Sequence, residues 1–477
     1  MTEIKALRTT TRAARTRPRI GLLGIMQGLY DDMLPGIAEH QAAYAAELAA
    51  TLADFADVEP APPVKERADA ERAMRDFEAR DLDGLLVVML TYGPALRVAR
   101  LLAETRLPVC LANVQPLPAV TDAWDMADLT YNQGIHGAQD TANAMVRAGR
   151  RFHVITDDWR AGSFHAAVER WARAAAALTR WRALKVAVVG YGMNGMGDTR
   201  VDEHALVRRL GPQVDAVAPG ALWRAVEAVT ADDVAGLIAD EDARFDVDER
   251  LSGEERADHA RMQLGLERLL REGGYGAYST HFGAIAEDGR FARLPLAAAS
   301  NLMAAGYGFA AEGDAICAAL WVAGRDLIGD AQFTEMYAMD FPTDSILMSH
   351  MGEGNWRLAH PGRPIRLIKR PLGIGGLDDP PTVLFQYRPG PATLASLTPL
   401  GGERFRLVVA EGEVLDAAEL PALEMPYGRF RPDRGVRACM DAWLHAGGPH
   451  HQVLVMGREA QAWRAFAALT GIEFVTT

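Results

Sequence analysis

What the chain has little of narrows the field first. Only three cysteines, Cys110, Cys317 and Cys439, occur in 477 residues. They are far apart, odd in number and form no CxxC pair, which argues against a zinc knuckle or disulfide scaffold and leaves buried, reduced thiols. Basic charge is short: 50 Lys and Arg against 63 Asp and Glu leave a net charge of −13. Phosphate binding needs a basic field, so no nucleic-acid partner is expected. Long hydrophobic runs are missing as well. The longest mostly apolar stretch, LPLAAASNLMAAGYGFAA, is interrupted by Ser, Asn and Gly, so neither a membrane span nor a membrane partner is expected. The opening MTEIKALRTTTRAARTRPRI is rich in Arg and Thr and lacks the apolar core of a secretion signal. A short disordered tail over residues 1–18 and a cytoplasmic location are the corresponding expectations. Internal repeats and low-complexity tracts are absent.

What is present reads as a globular chain. A hydrophobic fraction of 49% and a charged fraction of 24% are near the globular average, and the length suggests roughly two to four domains. A strand is expected at Arg19–Ile25, followed by helices over Pro35–Phe55 and around Glu66–Arg80. The strand DGLLVVML, a helix over Ala95–Thr105, the strands LPVCLANV and RFHVITDD, and a long amphipathic helix from Trp159 to Trp181 come next. Strands alternating with helices imply a parallel sheet covered on both faces. The pattern restarts at KVAVVGYG. It continues through VDEHALVRRLG, QVDAVAP, an acidic helical stretch from Thr230 to Glu272, YGAYSTHF, the glycine-rich GYGFAAEGD and a helix from Asp314 to Leu327. From about Asp340 the texture changes. Short runs such as PIRLIKRPLGIGG, PTVLFQY, RFRLVVAEGEVLD and HQVLVMG are separated by Pro, Gly and Asp. The expected architecture is α/β: two Rossmann-like parallel-sheet domains, 19–183 and 184–340, followed by a mainly antiparallel β domain, 341–477.

Three groups of residues carry candidate chemistry. Gly190-x-Gly192-x-x-Gly195 follows the strand KVAVV, with Asp215 downstream, and imitates a dinucleotide fingerprint. The residues MGDTRVDE delay the next helix, however, and a lone GxGxxG is a weak signal. A turn or substrate loop, which would bring Met193 toward a ligand, is the larger reading, and no nicotinamide cofactor is expected. The second group is Glu312, Glu335, His350, His450 and His451. Carboxylates and imidazoles of this kind can hold a hard or borderline divalent cation such as Mn²⁺. Singly each has an ordinary reading as a helix-start acid, a surface charge or a core histidine, and no motif as sharp as HExxH is present. The third group, Gln27, Tyr92, Asn132, Gln133 and His136, is read at strand ends, where open α/β sheets gather ligands. Turn chemistry accounts for the same residue types.

Taken together and in order, IMQGLYDD, NQGIHG, GYGFAAEGD, FTEMYAMDF, SHMGEGN, PLGIGGLDDP, GERFRLVVAEGEV and AGGPHHQVL resemble the L-arabinose isomerase family, within the L-arabinose/L-fucose isomerase group. The resemblance covers most of the chain past residue 20. It implies a metal site at Glu312, Glu335, His350 and His451, with His450 as the neighbouring active-site histidine and the choice between the two adjacent histidines open. It also implies a sugar pocket at Gln27, Tyr92 and His136, Mn²⁺ or another divalent cation as cofactor, and a homo-oligomer, hexamer or trimer, whose active sites are shared between subunits. The sequence departs from the family after His350-Met351, where Gly352-Glu353-Gly354-Asn355-Trp356-Arg357 replaces an apolar run. Glu353, Asn355, Trp356 and Arg357 are therefore expected near the far end of a bound sugar, and the substrate need not be L-arabinose.

The chemistry so implied is aldose–ketose isomerisation of a free sugar through an enediolate. Protons move between C1 and C2 and between their oxygens. Glu312 and Glu335 share the base and acid roles, and His450 assists ring opening or oxygen protonation. Two alternatives stand beside it: a non-catalytic sugar-binding protein built from two α/β units and, less well supported, a nicotinamide-dependent dehydrogenase.

Overall fold

The computed structural model describes residues 17–477. The tail expected over 1–18 lies outside the described residues except at its last two positions. The described chain forms two units, residues 17–179 with 464–471 and residues 180–463 with 472–477.

In the first unit, Arg19–Ile25 (β1), Asp57–Pro60 (β2), Gly84–Met89 (β3), Val109–Asn113 (β4) and His153–Thr156 (β5) form a parallel sheet in the order β2-β1-β3-β4-β5. All six residues of β3 are buried, as a strand covered on both faces requires. The two-residue period divides them. Leu86 and Val88 pack with Tyr44, Leu48 and Trp171 on one face, and Leu85 and Val87 with Met74, Phe77 and Leu102 on the other. The helix expected over Ala95–Thr105 is split into a 3-10 turn, Ala95–Arg97, and a helix, Ala99–Glu104. Between them Val98, with φ stretched to −118°, buries its side chain completely.

The second unit opens on another parallel sheet. Lys185–Val189 (β6) and Gln213–Val217 (β7) are followed by the two-residue strand Asp246–Val247 (β8), which pairs elsewhere, and then by Ala277–Thr280 (β9) and Gly308–Ala311 (β10). The order is β10-β9-β6-β7. The acidic stretch from Thr230 to Glu272 is not one helix. It forms Ala231–Asp242 and Gly253–Gly273, separated by β8, and the second helix starts at a capping box in which Ser252 and Glu255 hold each other's backbone N–H. The glycine-rich GYGFAAEGD supplies β10. A Cβ on Gly308 would lie 2.4 Å from the Ala318 carbonyl oxygen, so glycine there permits close packing of the strand on the helix Ala315–Leu327.

The remaining strands are Ala331–Asp340 (β11), Ser345–Ser349 (β12), Arg366–Lys369 (β13), Pro381–Leu384 (β14), Gly390–Pro399 (β15), Phe405–Val414 (β16), Tyr427–Pro432 (β17), His451–Met456 (β18) and Glu473–Thr476 (β19). Antiparallel pairing runs β15-β18-β11-β12-β17-β16, and β15 pairs again with β16 from Gly390↔Val414 to Pro399↔Phe405. That second pairing closes the sheet into a barrel. β19 adds to β16 in parallel, while β13, β14 and β8 form a small separate sheet. Met348, Leu394, Val408, Phe430 and Leu454 fill the barrel core with Trp443 of the helix Val436–Ala446. The fold class is the expected one: parallel-sheet α/β structure followed by an antiparallel β-barrel. All three cysteines are free and buried. No helix of the described residues is long and apolar enough to cross a membrane.

Candidate metal centre

The second unit brings its candidate ligands together by register. In the β11–β18 ladder Glu335 faces His451, and in the β11–β12 ladder it faces Ser349, the residue before His350. Glu312 directly follows β10. Its backbone is in the left-handed region, with φ at 63°, an uncommon conformation for a residue with a Cβ. Three hydrogen bonds hold the turn: Glu312 N–H donates to the Thr280 carbonyl (2.8 Å), Gly313 N–H to the Ser279 hydroxyl (2.8 Å), and Met193 N–H to the Glu312 carbonyl (2.9 Å).

His451 is fully buried. Its Nε2 lies 3.4 Å from Glu312 Oε2 and 3.3 Å from Glu335 Oε1. Both His451 Nε2 and Glu312 Oε2 are buried without a hydrogen-bond partner, although burying such atoms unpaired is costly. His450 Nε2 is 3.5 Å from Glu335 Oε1. Ligand atoms of Glu312, Glu335, His450 and His451 all lie within 4.8 Å of one another. The His350 ring stands 6.0 Å from that of His451, and Phe333 packs against both, at 4.7 and 5.0 Å.

One pattern recurs at all three imidazoles. His451 Nδ1 is 2.9 Å from Asp314 Oδ2, His350 Nδ1 is 2.6 Å from Glu353 Oε2, and His450 Nδ1 is 2.6 Å from Asp198 Oδ2. A carboxylate on Nδ1 fixes the ring and leaves Nε2 as the free ligand atom, the usual arrangement of metal-binding histidines. Sequence reasoning missed Asp314 and Asp198. Asp314 carried a readable signal, since it caps the helix Ala315–Leu327 by accepting from Cys317 N–H at 2.9 Å. Asp198 carried none.

The electrostatics are those of a site short of positive charge. Burial pushes Glu312 and Glu335 up, but the surrounding imidazoles outweigh it and both are held below the ordinary carboxylate range. Burial likewise opposes charge on His451, yet Asp314, Glu312 and Glu335 raise it well above an ordinary histidine. Burial also disfavours charge on His350, which Glu353 outweighs, so its pKa too is raised. A cation held here would compete with protons for the Nε2 lone pairs. The donor set, two carboxylates and imidazoles around orphaned buried atoms, fits a divalent cation of borderline hardness. Beside Glu312 and His350, Phe282, Ile285, Leu296, Met351, Leu372 and Ile374 line an apolar cleft.

The other sequence candidates fall as follows. Gly190–Gly195 is a loop packed on the Glu312 turn, and the next helix, Glu203–Arg209, starts only after its own cap, Asp202. Met193 lies in that loop and holds Glu312. Asn355 is buried in a turn, where its N–H donates to Gln332 Oε1 (2.5 Å) and its Nδ2 to the Ala331 carbonyl (2.9 Å). Trp356, expected beside a sugar, packs edge-on against Phe245, lies under Arg244 and donates to Asn301 Oδ1 at 3.0 Å. Arg357 extends outward to Asp330, at 3.1 Å to each carboxylate oxygen. These two side chains thus have structural partners instead of a free sugar-facing surface.

In the first unit Gln27 follows β1 and accepts from Arg97 at 2.8 Å, while Tyr92 lies just past β3. Asn132, Gln133 and His136 are not at a strand end. They lie where the helix Met126–Asn132 gives way to the helix Gly134–Arg147. The glycines of NQGIHG let that second helix approach β3: a Cβ on Gly134 would come within 2.5 Å of the Met89 carbonyl oxygen.

A carboxylate–imidazole cluster thus lies where β10 of the parallel sheet ends beside the barrel strands β11 and β18. Models of the L-arabinose isomerase N-terminal, central and C-terminal domains match residues 19–183, 185–327 and 330–473 in turn. An L-arabinose isomerase of Nocardioides sp. is 34% identical over 94% of this chain and 91% of its own length. Those of Klebsiella pneumoniae (82% and 80% covered) and Yersinia pseudotuberculosis (74% and 72%) are each 33% identical. The chain belongs to the L-arabinose isomerase family, a family of aldose–ketose isomerases.

Proposed function

We propose that the protein interconverts an aldose and its ketose through an enediolate, using a divalent cation, Mn²⁺ being the first to test. The observation that carries this reading is the pair of buried, unpartnered atoms, Glu312 Oε2 and His451 Nε2, aimed at one place with Glu335. Glu312, Glu335, His350 and His451 would hold the cation, whose charge would polarise the substrate carbonyl and favour the enediolate. The protein's own groups do the proton work. One of the two carboxylates, ionised and oriented by the imidazoles around it, takes the proton from one carbon and returns that same proton to the neighbouring carbon, while the other takes the proton of the substrate hydroxyl and gives it to the carbonyl oxygen. His450, with Nε2 beside Glu335, assists that transfer between oxygens. The apolar cleft at Phe282, Leu296 and Ile374 excludes water and takes the carbon face of the sugar. L-arabinose, named in the relatives, heads the candidates, and the altered Gly352–Arg357 segment is the reason to test others beside it. We also read the protein as a cytoplasmic homo-oligomer whose subunits share sugar sites, with Gln27, Tyr92 and His136 as the sugar-lining residues of the first unit.

The test is metal analysis of the purified protein together with turnover of an aldose panel before and after chelation. The expected result is a bound divalent cation, activity lost on chelation and restored by Mn²⁺. Failure of every aldose to react in excess Mn²⁺ overturns the reading.

A further inference from the structure

We propose that the glycine-rich loop after β6 is a positioning segment of the centre, and that Asp198 at its far end sets the ring of His450. The catalytic part of this inference rests on the isomerase reading above, whereas its structural part does not. The loop opens at Gly190 (φ 103°) and turns again at Gly195 (φ 83°), conformations that glycine adopts without steric cost. Its near end supports Glu312. Met193 N–H donates to the Glu312 carbonyl, and a Cβ on Gly313 would fall 2.3 Å from Gly192 Cα, so the two backbones touch. Arg200 ties the loop to itself by donating to the Gly192 carbonyl at 2.7 Å.

Its far end reaches His450. One carboxylate oxygen, Asp198 Oδ2, accepts from the His450 backbone N–H at 3.0 Å and from ring Nδ1 at 2.6 Å. Two bonds to a single acceptor fix both the position of the residue and the rotation of its ring. With Nδ1 as the donor, Nε2 is the atom presented to Glu335, 3.5 Å away. The His450 side chain is 38% exposed, so packing alone leaves the ring free to turn toward water. Among the described residues Asp198 is the only side chain that hydrogen-bonds it. One loop therefore grips both sides of the cluster, the strained Glu312 turn and the His450 ring. That gives the sequence motif Gly190-x-Gly192-x-x-Gly195 a purpose without any nucleotide. Asp198 is a positioning residue in this scheme and acts through His450.

The experiment uses the full-length protein loaded with Mn²⁺ and the variants Asp198→Ala, Asp198→Asn, His450→Ala and Asp198→Ala/His450→Ala. In a crystal structure of Asp198→Ala the His450 ring is expected to be turned or disordered. Its kcat should fall about 10–100-fold with KM changed by less than about threefold, the size of effect seen when a partner that orients a functional histidine is removed. Asp198→Asn should lose less, because its Oδ1 still accepts both N–H groups. In the His450→Ala background the Asp198→Ala change should cost less than about twofold more, since two residues acting as a unit are not additive. A His450 ring unmoved in Asp198→Ala overturns the proposal. So does a full additional loss in the double variant, which would make Asp198 a loop-folding residue only. Wild-type protein inactive on every aldose would instead overturn the isomerase reading, and the crystal structure would still decide for or against Asp198.

Discussion

Glu335 and His451 are cross-strand partners in the barrel, and their Oε1 and Nε2 atoms lie 3.3 Å apart with the imidazole fully buried. Neutralising Glu335 removes one of the carboxylates that face that imidazole, and neutralising Glu312 removes another, at the strand end of β10. Glu335→Gln and Glu312→Gln are each expected to lower kcat by at least about 10²–10⁴-fold, the usual contribution of a general acid or base, with the circular-dichroism spectrum unchanged. Turnover in excess Mn²⁺ is the measurement. Near wild-type rates in either variant would remove that residue from the proton-transfer scheme.

Asp314 serves two masters through two oxygens: Oδ1 caps the helix Ala315–Leu327 and Oδ2 holds His451 Nδ1. Asp314→Ala should cost about 1 kcal/mol for the cap and weaken cation affinity about 10–100-fold. Asp314→Asn should keep most of the cap and still weaken the cation. Thermal unfolding and calorimetric Mn²⁺ titration of both variants separate the two roles. Unchanged affinity in Asp314→Ala would mean that His451 is oriented by its burial alone.

Gly313 and Gly192 touch, but a Cβ is tolerated unequally at the two. At Gly313 it meets backbone at 2.3 Å with φ at 80°, while at Gly192 it meets the end of the Arg200 side chain at 2.8 Å. Gly313→Ala should therefore cost at least about 1–3 kcal/mol and move Glu312 out of place, whereas Gly192→Ala needs only a shift of the guanidinium. Melting temperature and turnover should both fall further in Gly313→Ala. Equal effects would contradict this account of the contact.

Away from the centre, Glu255 offers a pH-dependent stability with a definite sign. Hydrogen bonding to the Lys369 ammonium and to Ser252 outweighs burial and holds its carboxyl down at about 2, against an ordinary 4.5. A folded-state pKa below the unfolded one adds stability that is complete above about pH 5 and lost as pH falls toward 2, on the order of 3 kcal/mol in all. Lys369→Met should raise the carboxyl and shrink this term. The stability gap between wild type and Lys369→Met, from melting temperatures between about pH 6 and pH 2.5, should narrow as pH falls below about 4. A gap independent of pH would exclude the linkage.

Much of this protein was legible along the chain because it is locally encoded. Strands such as Arg19–Ile25 and Lys185–Val189 are short apolar runs set between helical periodicities, and the parallel α/β class follows from their alternation. The residues now gathered at the centre, Glu312, Glu335, His450 and His451, were legible through motifs that resemble a family rather than through spacing. Where local signals compete, the reading slipped: the acidic stretch from Thr230 to Glu272 breaks at β8 because Val247 pairs with Leu367 of β13, a partner no local pattern announces. The partners of Trp356 and Arg357, Asn301 and Asp330, are likewise remote in sequence. Only the tertiary structure decided the barrel closure of β15 on β16, the register that sets Glu335 opposite His451, and the carboxylates that hold the imidazoles. Asp198 meets His450 across 252 positions and Asp314 meets His451 across 137. Such contacts depend on ladder register and backbone path summed over whole sheets, and a one-residue slip of β11 or β18 would turn Glu335 or His451 to the opposite face.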